Sequence, residues 1–247
     1  MASNAPRLTI VIPAYQEEKR IGSTLDELDK YLTNRAAHDV EVIVVSGGST
    51  DGTAEVARKY ENKLAALLRV LDLPKAIGKG AAVRAGMLEA TGRFVLFTDA
   101  DLAYEPKLFD DFVRRLESGA DIVIAQRTGA TVYGGLARRW VAAASRFVFQ
   151  RFITPGIGDT QAGLKAFTQA AAQDLFRRQT ITGLIFDVEI LILAHRRKYR
   201  VEKAYVDWQD KPGSTVRLAR DSTGALLDLL KIFWRIGWGQ YGSFSSP

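Results

Sequence analysis

The chain has 247 residues, enough for one large α/β domain or two small ones, and its 47% hydrophobic and 25% charged residues are ordinary for a soluble globular protein. The absence of cysteine excludes disulfides and thiolate zinc sites, and two histidines, His38 and His195, argue against a histidine metal centre or a histidine-based triad. A net charge of +6 suits anionic partners, although on charge alone solubility is the better account, and any metal must sit on oxygen ligands, the preference of magnesium and manganese.

Leu8–Ile12 is a buried-strand run, after which Ile21, Leu25, Leu28 and Leu32 recur at helical spacing. Glu41–Val45 is a second β-branched run, followed by the turn-rich Gly47–Gly52. Leu67–Leu71 and Phe94–Thr98 read as further strands, with a helical Ala81–Ala90 between them. Pro106 stands where a helix would start, and Leu108, Phe109, Phe112, Val113 and Leu116 supply its apolar face. Asp121–Ala125 is another strand. Such alternation predicts an α/β fold: a mostly parallel central sheet flanked by helices, with a ligand site beyond the carboxyl ends of the strands.

The second half is less regular. Leu136–Phe152 reads as a helix bearing Arg138, Arg139, Arg146 and Arg151, Phe186–Tyr199 as an apolar helix, and Val201–Trp208 as a strand. Gly213–Asp221 reads as a polar loop and Ala225–Trp238 as a last helix. Without a repeat or linker, the expected division is one domain over residues 1–222 and a C-terminal amphipathic helix and tail over 223–247. Asp228, Lys231 and Arg235 share one face of that helix, and Leu226, Leu229, Leu230, Phe233 and Ile236 occupy another. The pattern suits a helix in a membrane interface, with Trp234 and Trp238 at headgroup depth, and equally a helix packed on the core or on a second subunit.

The most informative motif is Phe94-Val-Leu-Phe-Thr-Asp99-Ala-Asp101. A hydrophobic strand ends in two carboxylates, and two hard oxygen ligands there can hold a divalent cation against a diphosphate. An isolated Asp-x-Asp is as well explained by a turn or a helix cap; the strand in front of it tips the reading towards function. Pro13-Ala-Tyr15-Gln-Glu17-Glu follows the first strand, Gly47-Gly-Ser-Thr-Asp51-Gly-Thr the second, and Gly78-Lys79-Gly80 precedes a helix, where a cation and backbone amides can meet phosphate. Each alone is a tight turn. Three on one sheet edge with Asp-x-Asp point to a site.

The order IPAYQEEKRI, GGSTDGT, GKGAAVRAGMLEATG, TDADL, DTQAGLKAF and FDVEIL resembles family 2 of the inverting glycosyltransferases. Within it the chain is most similar to the polyprenyl-phosphate hexosyltransferases, the dolichyl-phosphate glucose and mannose synthases, from about Leu8 to Leu230. Asp159–Lys165, Phe186–Glu189 and Trp208–Ser214 lean towards the glucose branch. The resemblance implies a GT-A type fold, a nucleotide-sugar donor (UDP-glucose favoured, GDP-mannose the alternative), a polyprenyl or dolichyl phosphate acceptor, and a magnesium or manganese ion.

Residue by residue, it implies that Pro13, Tyr15, Glu17, Gly47, Lys79, Ala100 and Lys211 bind the donor. Asp99 would contact the nucleotide, and Asp101 with Gln161, beside Asp99, would hold the metal. Arg127, Arg138 and Arg139 would bind the acceptor phosphate, although a solvated helix face also accounts for the last two. Asp187 stands near the place of a general base in related transferases, and equally reads as an early-helix acid favoured by the dipole. A phosphomonoester acceptor, with a second pKa of about 6, weakens the need for such a base.

Two departures stand out. Gln16 replaces the family's Asn, and Ser46-Gly47-Gly48-Ser49 replaces Asp-Asp-Gly-Ser, removing at position 47 a carboxylate that usually contacts the donor base. The alternatives left open are transfer to a soluble or polysaccharide acceptor and nucleotide-sugar binding with impaired turnover. A nucleic-acid partner has only the basic charge in its favour. The N-terminus shows no charged region before a long apolar stretch, and no run of about 18 apolar residues occurs, so the expectation is a cytoplasmic protein, peripheral on the inner face of a membrane. Its oligomeric state, a homo-oligomer included, is left open.

Overall fold

The computed structural model describes residues 5–33, 39–128, 159–207, 218–238 and 240–241. In chain order these form β1 (Leu8–Ala14), α1 (Ile21–Leu32), β2 (Val40–Ser46), α2 (Thr53–Arg58), β3 (Leu67–Asp72), α3 (Lys79–Glu89), β4 (Phe94–Thr98), α4 (Leu108–Glu117) and β5 (Ile122–Thr128). There follow β6 (Leu164–Thr168), α5 (Gln169–Arg178), α6 (Phe186–Arg196), β7 (Val201–Asp207) and α7 (Leu218–Gly237). The strands form one seven-stranded sheet in the order β3-β2-β1-β4-β6-β5-β7.

Residues buried on both sides explain the strand sequences. In β1, Leu8, Ile10 and Ile12 face one apolar layer and Val11 the other; β2 divides Val42 and Val44 from Ile43 and Val45, and β4 divides Leu96 from Val95 and Phe97. Period-two alternation between two apolar layers is the signature of a sheet covered by helices on both faces. One layer is closed by α1 through Ile21, Leu25, Leu28 and Leu32 and by α4 through Phe109, Phe112, Val113 and Leu116. The other is closed by α3, α5 and α6, with Ile232 of α7 and Tyr241 added at its margin. Each large aliphatic side chain so buried contributes about 1.5–3 kcal/mol.

One buried carboxylate ties the sheet to a loop. Glu41 of β2 accepts hydrogen bonds from the Thr9 hydroxyl at 2.7 Å, the Thr91 amide at 3.0 Å and the Thr91 hydroxyl at 2.9 Å, and pairs with Arg69 at 3.0 Å. Burial opposes its charged form, but these donors outweigh it and hold its pKa below the ordinary glutamate value.

The expected mostly parallel sheet is present, with one strand the alternation did not indicate. β6 runs antiparallel to both neighbours, pairing Thr98 with Leu164 and Phe97 with Lys165 on one side and Ile124 with Lys165 on the other. A strand in this sense has its beginning, not its end, at the edge where β1, β2 and β4 finish. Residues 159–163 are thereby delivered beside Asp99. The last helix begins at Leu218, so residues 218–221 of the expected loop are helical, and the helix after Pro106 starts at Leu108. The expected helix Leu136–Phe152 lies outside the described residues, as do residues 213–217.

Candidate active site

The loops that follow β1, β2 and β4 and the one that precedes β6 meet at one edge of the sheet. After β1, Gln16 takes left-handed backbone (φ 58°), its amide donating to the Ser49 hydroxyl at 3.2 Å and its side-chain amide to the Thr50 hydroxyl at 2.7 Å. Asp51 joins the same two loops, accepting from the Glu18 amide at 3.1 Å, from the Thr53 amide at 3.1 Å and from the Thr53 hydroxyl. The turn after β4 has a second left-handed non-glycine residue, Leu102 (φ 44°), whose amide closes on the Asp99 carbonyl at 3.0 Å. Such conformations cost of order 1–3 kcal/mol each and collect at functional sites.

Asp99 and Asp101 leave β4 at this edge. Lys79, the first residue of α3, places its ammonium 2.6 Å from Asp99 Oδ1. Burial works against the charged lysine, but Asp99, Asp187 and Asp101 outweigh it and hold its pKa above the ordinary value. Asp101 Oδ1 accepts from the Ala103 amide at 3.1 Å. Glu17 lies within the same field: burial pushes its carboxyl up, Arg20 opposes, and Asp101, Asp51 and Asp99 push it further. Tyr15 is exposed, Pro13 and Glu17 are half-buried, and Ala100 is buried, its carbonyl accepting from the Thr24 hydroxyl.

A Cβ built on Gly163 would stand 2.1 Å from Asp99 Oδ2 and 2.6 Å from its Cγ, so the carboxylate rests where any other residue's side chain would be. Gly47 differs: a Cβ there would meet only the Ala14 carbonyl and the Ala82 Cβ, both at 3.5 Å, and its φ is not in the left-handed region. Position 47 has room for a Cβ.

Arg127, at the end of β5, forms a two-point pair with Asp159, Nε to Oδ2 at 2.5 Å and Nη2 to Oδ1 at 3.2 Å. The Gln126 side chain exchanges hydrogen bonds with the Asp159 backbone at 2.8 and 3.1 Å, and the Gln161 amide donates to Asp159 Oδ1 at 3.2 Å. The loop carrying the exposed Gln161 is thus fastened to β5. Asp187 opens no carboxylate to the cleft: it is buried and paired with Lys165 at 2.7 Å. Lys211, Arg138 and Arg139 lie outside the described residues.

Among the described residues no three metal-ligating side chains converge. A hard cation such as magnesium is usually held by one or two carboxylates and completed by substrate phosphates and water, and the pair Asp99–Asp101 with the Gln161 amide fits that chemistry. Gly163 and Lys165 gain their places in the site only from the structure; in the sequence they are two positions within DTQAGLKAF. An apolar strand interrupted by a single lysine was the available signal.

The description "Glycosyl transferase family 2" belongs to the family model that matches residues 9–176. Dolichyl-phosphate beta-glucosyltransferase ALG5C of Trichomonas vaginalis is 35% identical, the alignment covering 93% of this chain and 72% of the relative. The dolichyl-phosphate beta-glucosyltransferase of Drosophila melanogaster is 37% identical over 84% of this chain and 68% of its own. Among solved structures, glucosyl-3-phosphoglycerate synthase from Mycobacterium tuberculosis, in complex with Mn2+, UDP and glucosyl-3-phosphoglycerate, superposes with a TM-score of 0.67 at 22% identity, covering 94% of this chain and 80% of that one. Mannosyl-3-phosphoglycerate synthase from Rubrobacter xylanophilus gives 0.69 at 18% identity, covering 98% and 78%. At those identities the likeness speaks for the fold alone, and it is the expected GT-A type.

Proposed function

The chain belongs to glycosyl transferase family 2, and from that premise we propose that it transfers glucose, with inversion, from UDP-glucose to a polyprenyl or dolichyl phosphate at a membrane surface. The observation that carries this is the convergence of Lys79, Asp99 and Asp101 at the carboxyl edge of a GT-A sheet. The similarity to curated dolichyl-phosphate beta-glucosyltransferases supports glucose and the lipid acceptor.

In this reading Pro13, Tyr15, Glu17, Gly47 and Ala100 line the nucleoside pocket. Lys79 and Asp99 orient each other, so that the ammonium is aimed before the anionic donor arrives. Preorganised charge of this kind needs no rearrangement at the moment of reaction. Asp101, with Gln161 and Asp99, would hold magnesium or manganese, which supplies charge neutralisation at the departing diphosphate. The acceptor phosphate is anionic near neutral pH, so the chain's part is alignment and the screening of one anion from another. Arg127, with Arg138 and Arg139, is assigned the acceptor side; a guanidinium fork binds phosphate at two points. The Asp159 pair takes the Nε and Nη2 side of the Arg127 guanidinium and holds that side chain at the edge of the cleft.

The membrane assignment rests on α7. Leu227, Leu230, Phe233, Trp234 and Trp238 are exposed, while Ile232 is buried against the body. The helix therefore docks by one side and presents an apolar, tryptophan-bearing side outward, with Lys231 exposed beside it. Among the described residues no helix is long and apolar enough to cross a membrane. We assign the protein to peripheral binding at the cytoplasmic leaflet. Titration calorimetry of UDP, GDP and UDP-glucose with manganese tests the donor assignment: UDP and UDP-glucose bind more tightly than GDP, and a preference for GDP overturns the glucose reading.

A further inference from the structure

Lys165 is a fully buried lysine in the middle of the sheet. On β6, opposite Phe97, it extends into the layer covered by α3, α5 and α6. Its ammonium stands 2.7 Å from Asp187 Oδ1, donates to the Ala162 carbonyl at 2.7 Å and lies 5.5 Å from the centre of the Phe97 ring. Asp187 is the second residue of α6, and burial pushes its carboxyl up against the opposing charges of Lys165 and Lys79. Two desolvated charges are an expensive way to fill a core, and apolar residues of similar volume commonly serve stability as well or better. A role other than stability accounts for their presence.

The geometry supplies one. Ala162, held by the Lys165 ammonium, immediately precedes Gly163, the glycine against which the Asp99 carboxylate rests. Asp187 in turn is the second carboxylate, after Asp99, whose charge favours protonated Lys79. From core to cleft the signs alternate: Lys165, Asp187, Lys79, Asp99. Resting on the reading of the cleft as a nucleotide-sugar site, we propose that Lys165 and Asp187 form a buried positioning pair that sets Asp99 and Lys79 for the donor diphosphate. Lys165 fixes the turn behind Asp99, and Asp187 stands at the start of α6, where the Phe186 Cβ packs against Gly80, the residue after Lys79. Without the pair, both cleft residues remain but lose their aim.

The test is the double variant Lys165→Met/Asp187→Leu in the full chain, read by thermal melting, by calorimetric titration of UDP with manganese, and by donor KM and kcat. The pair's role predicts a melting temperature at or above the parent's, UDP binding weakened at least tenfold and kcat/KM for the donor lowered by a similar factor. A folded double variant that binds UDP and turns over like the parent overturns it. If the double variant does not fold, Asp187→Asn, which keeps the shape, is read in its place by the same titration. Weakened UDP binding supports the pair; parent-like UDP binding with lost turnover makes Asp187 a proton acceptor instead, and parent-like binding and turnover leave the pair no role. Should the parent itself bind no UDP, the nucleotide-sugar reading fails rather than the positioning one.

Discussion

Gly163→Ala separates the geometry of the cleft from the stability of the fold. The added methyl would sit 2.1 Å from Asp99 Oδ2, so the carboxylate must retreat by roughly 1.4 Å to regain a van der Waals separation near 3.5 Å. That retreat breaks the 2.6 Å contact with Lys79. A misplacement of about 1 Å in a positioned group can cost about a hundredfold in rate, or about 2.7 kcal/mol of transition-state stabilisation. The fold has little to lose, because the displaced atoms end a short side chain at a loop and the glycine's φ is not left-handed. Alanine also narrows the unfolded ensemble, worth about 0.4–1 kcal/mol in favour of folding. Gly163→Ala is thus expected to keep the parent's melting temperature within a few degrees while kcat/KM for the donor falls about a hundredfold. Gly224→Ala on α7, whose new methyl meets nothing within 4 Å, serves as the control and keeps parent turnover. Parent-like kcat/KM in Gly163→Ala, or loss of activity only through unfolding, refutes the reasoning.

Gly47→Asp restores the missing carboxylate at a position whose backbone has room for a Cβ; a charge-assisted hydrogen bond is worth about 1.5–3 kcal/mol, less what water already recovers, so calorimetry should show UDP bound several-fold more tightly, and unchanged binding refutes the lost contact. Glu41→Gln removes a carboxylate whose pKa is depressed in the folded state, so its stabilisation is present above the unfolded pKa and lost as pH falls through the folded one. Denaturant melts are therefore expected to show the variant about 1.5–3 kcal/mol less stable at pH 7 and the gap closing in the acid range below the ordinary glutamate pKa; a pH-independent gap contradicts the assignment. Trp234→Ala/Trp238→Ala removes two side chains that are 54% and 71% exposed, so melting is unchanged while flotation with anionic lipid vesicles is lost; equal flotation removes α7 from the membrane argument.

The parallel part of the fold was legible because β1, β2 and β4 are short runs of β-branched and aromatic residues, and α1 and α4 keep one apolar face. The edge of the sheet was legible for the same reason: Asp99 and Asp101 follow a strand with no polar residue before Thr98. β6 was not, since Lys165 within Leu-Lys-Ala-Phe-Thr reads as a solvent-facing position, and only the ion pair with Asp187 reconciles it with burial. The same pair hid from view what Asp187 does, because an early-helix acid and a buried partner look identical in sequence. α2 is only six residues long, too short for periodicity to register. The Arg127–Asp159 pair joins residues 32 positions apart that no local pattern links.

The most direct test is product formation by the full chain incubated with UDP-glucose, manganese and a short polyprenyl phosphate. Mass spectrometry of the lipid fraction is expected to show one added hexose, the anomeric proton to report the β linkage of an inverting transfer, and Asp101→Ala or EDTA to abolish the product. A lipid that stays unglucosylated while UDP-glucose is bound, or full product in EDTA, contradicts the account.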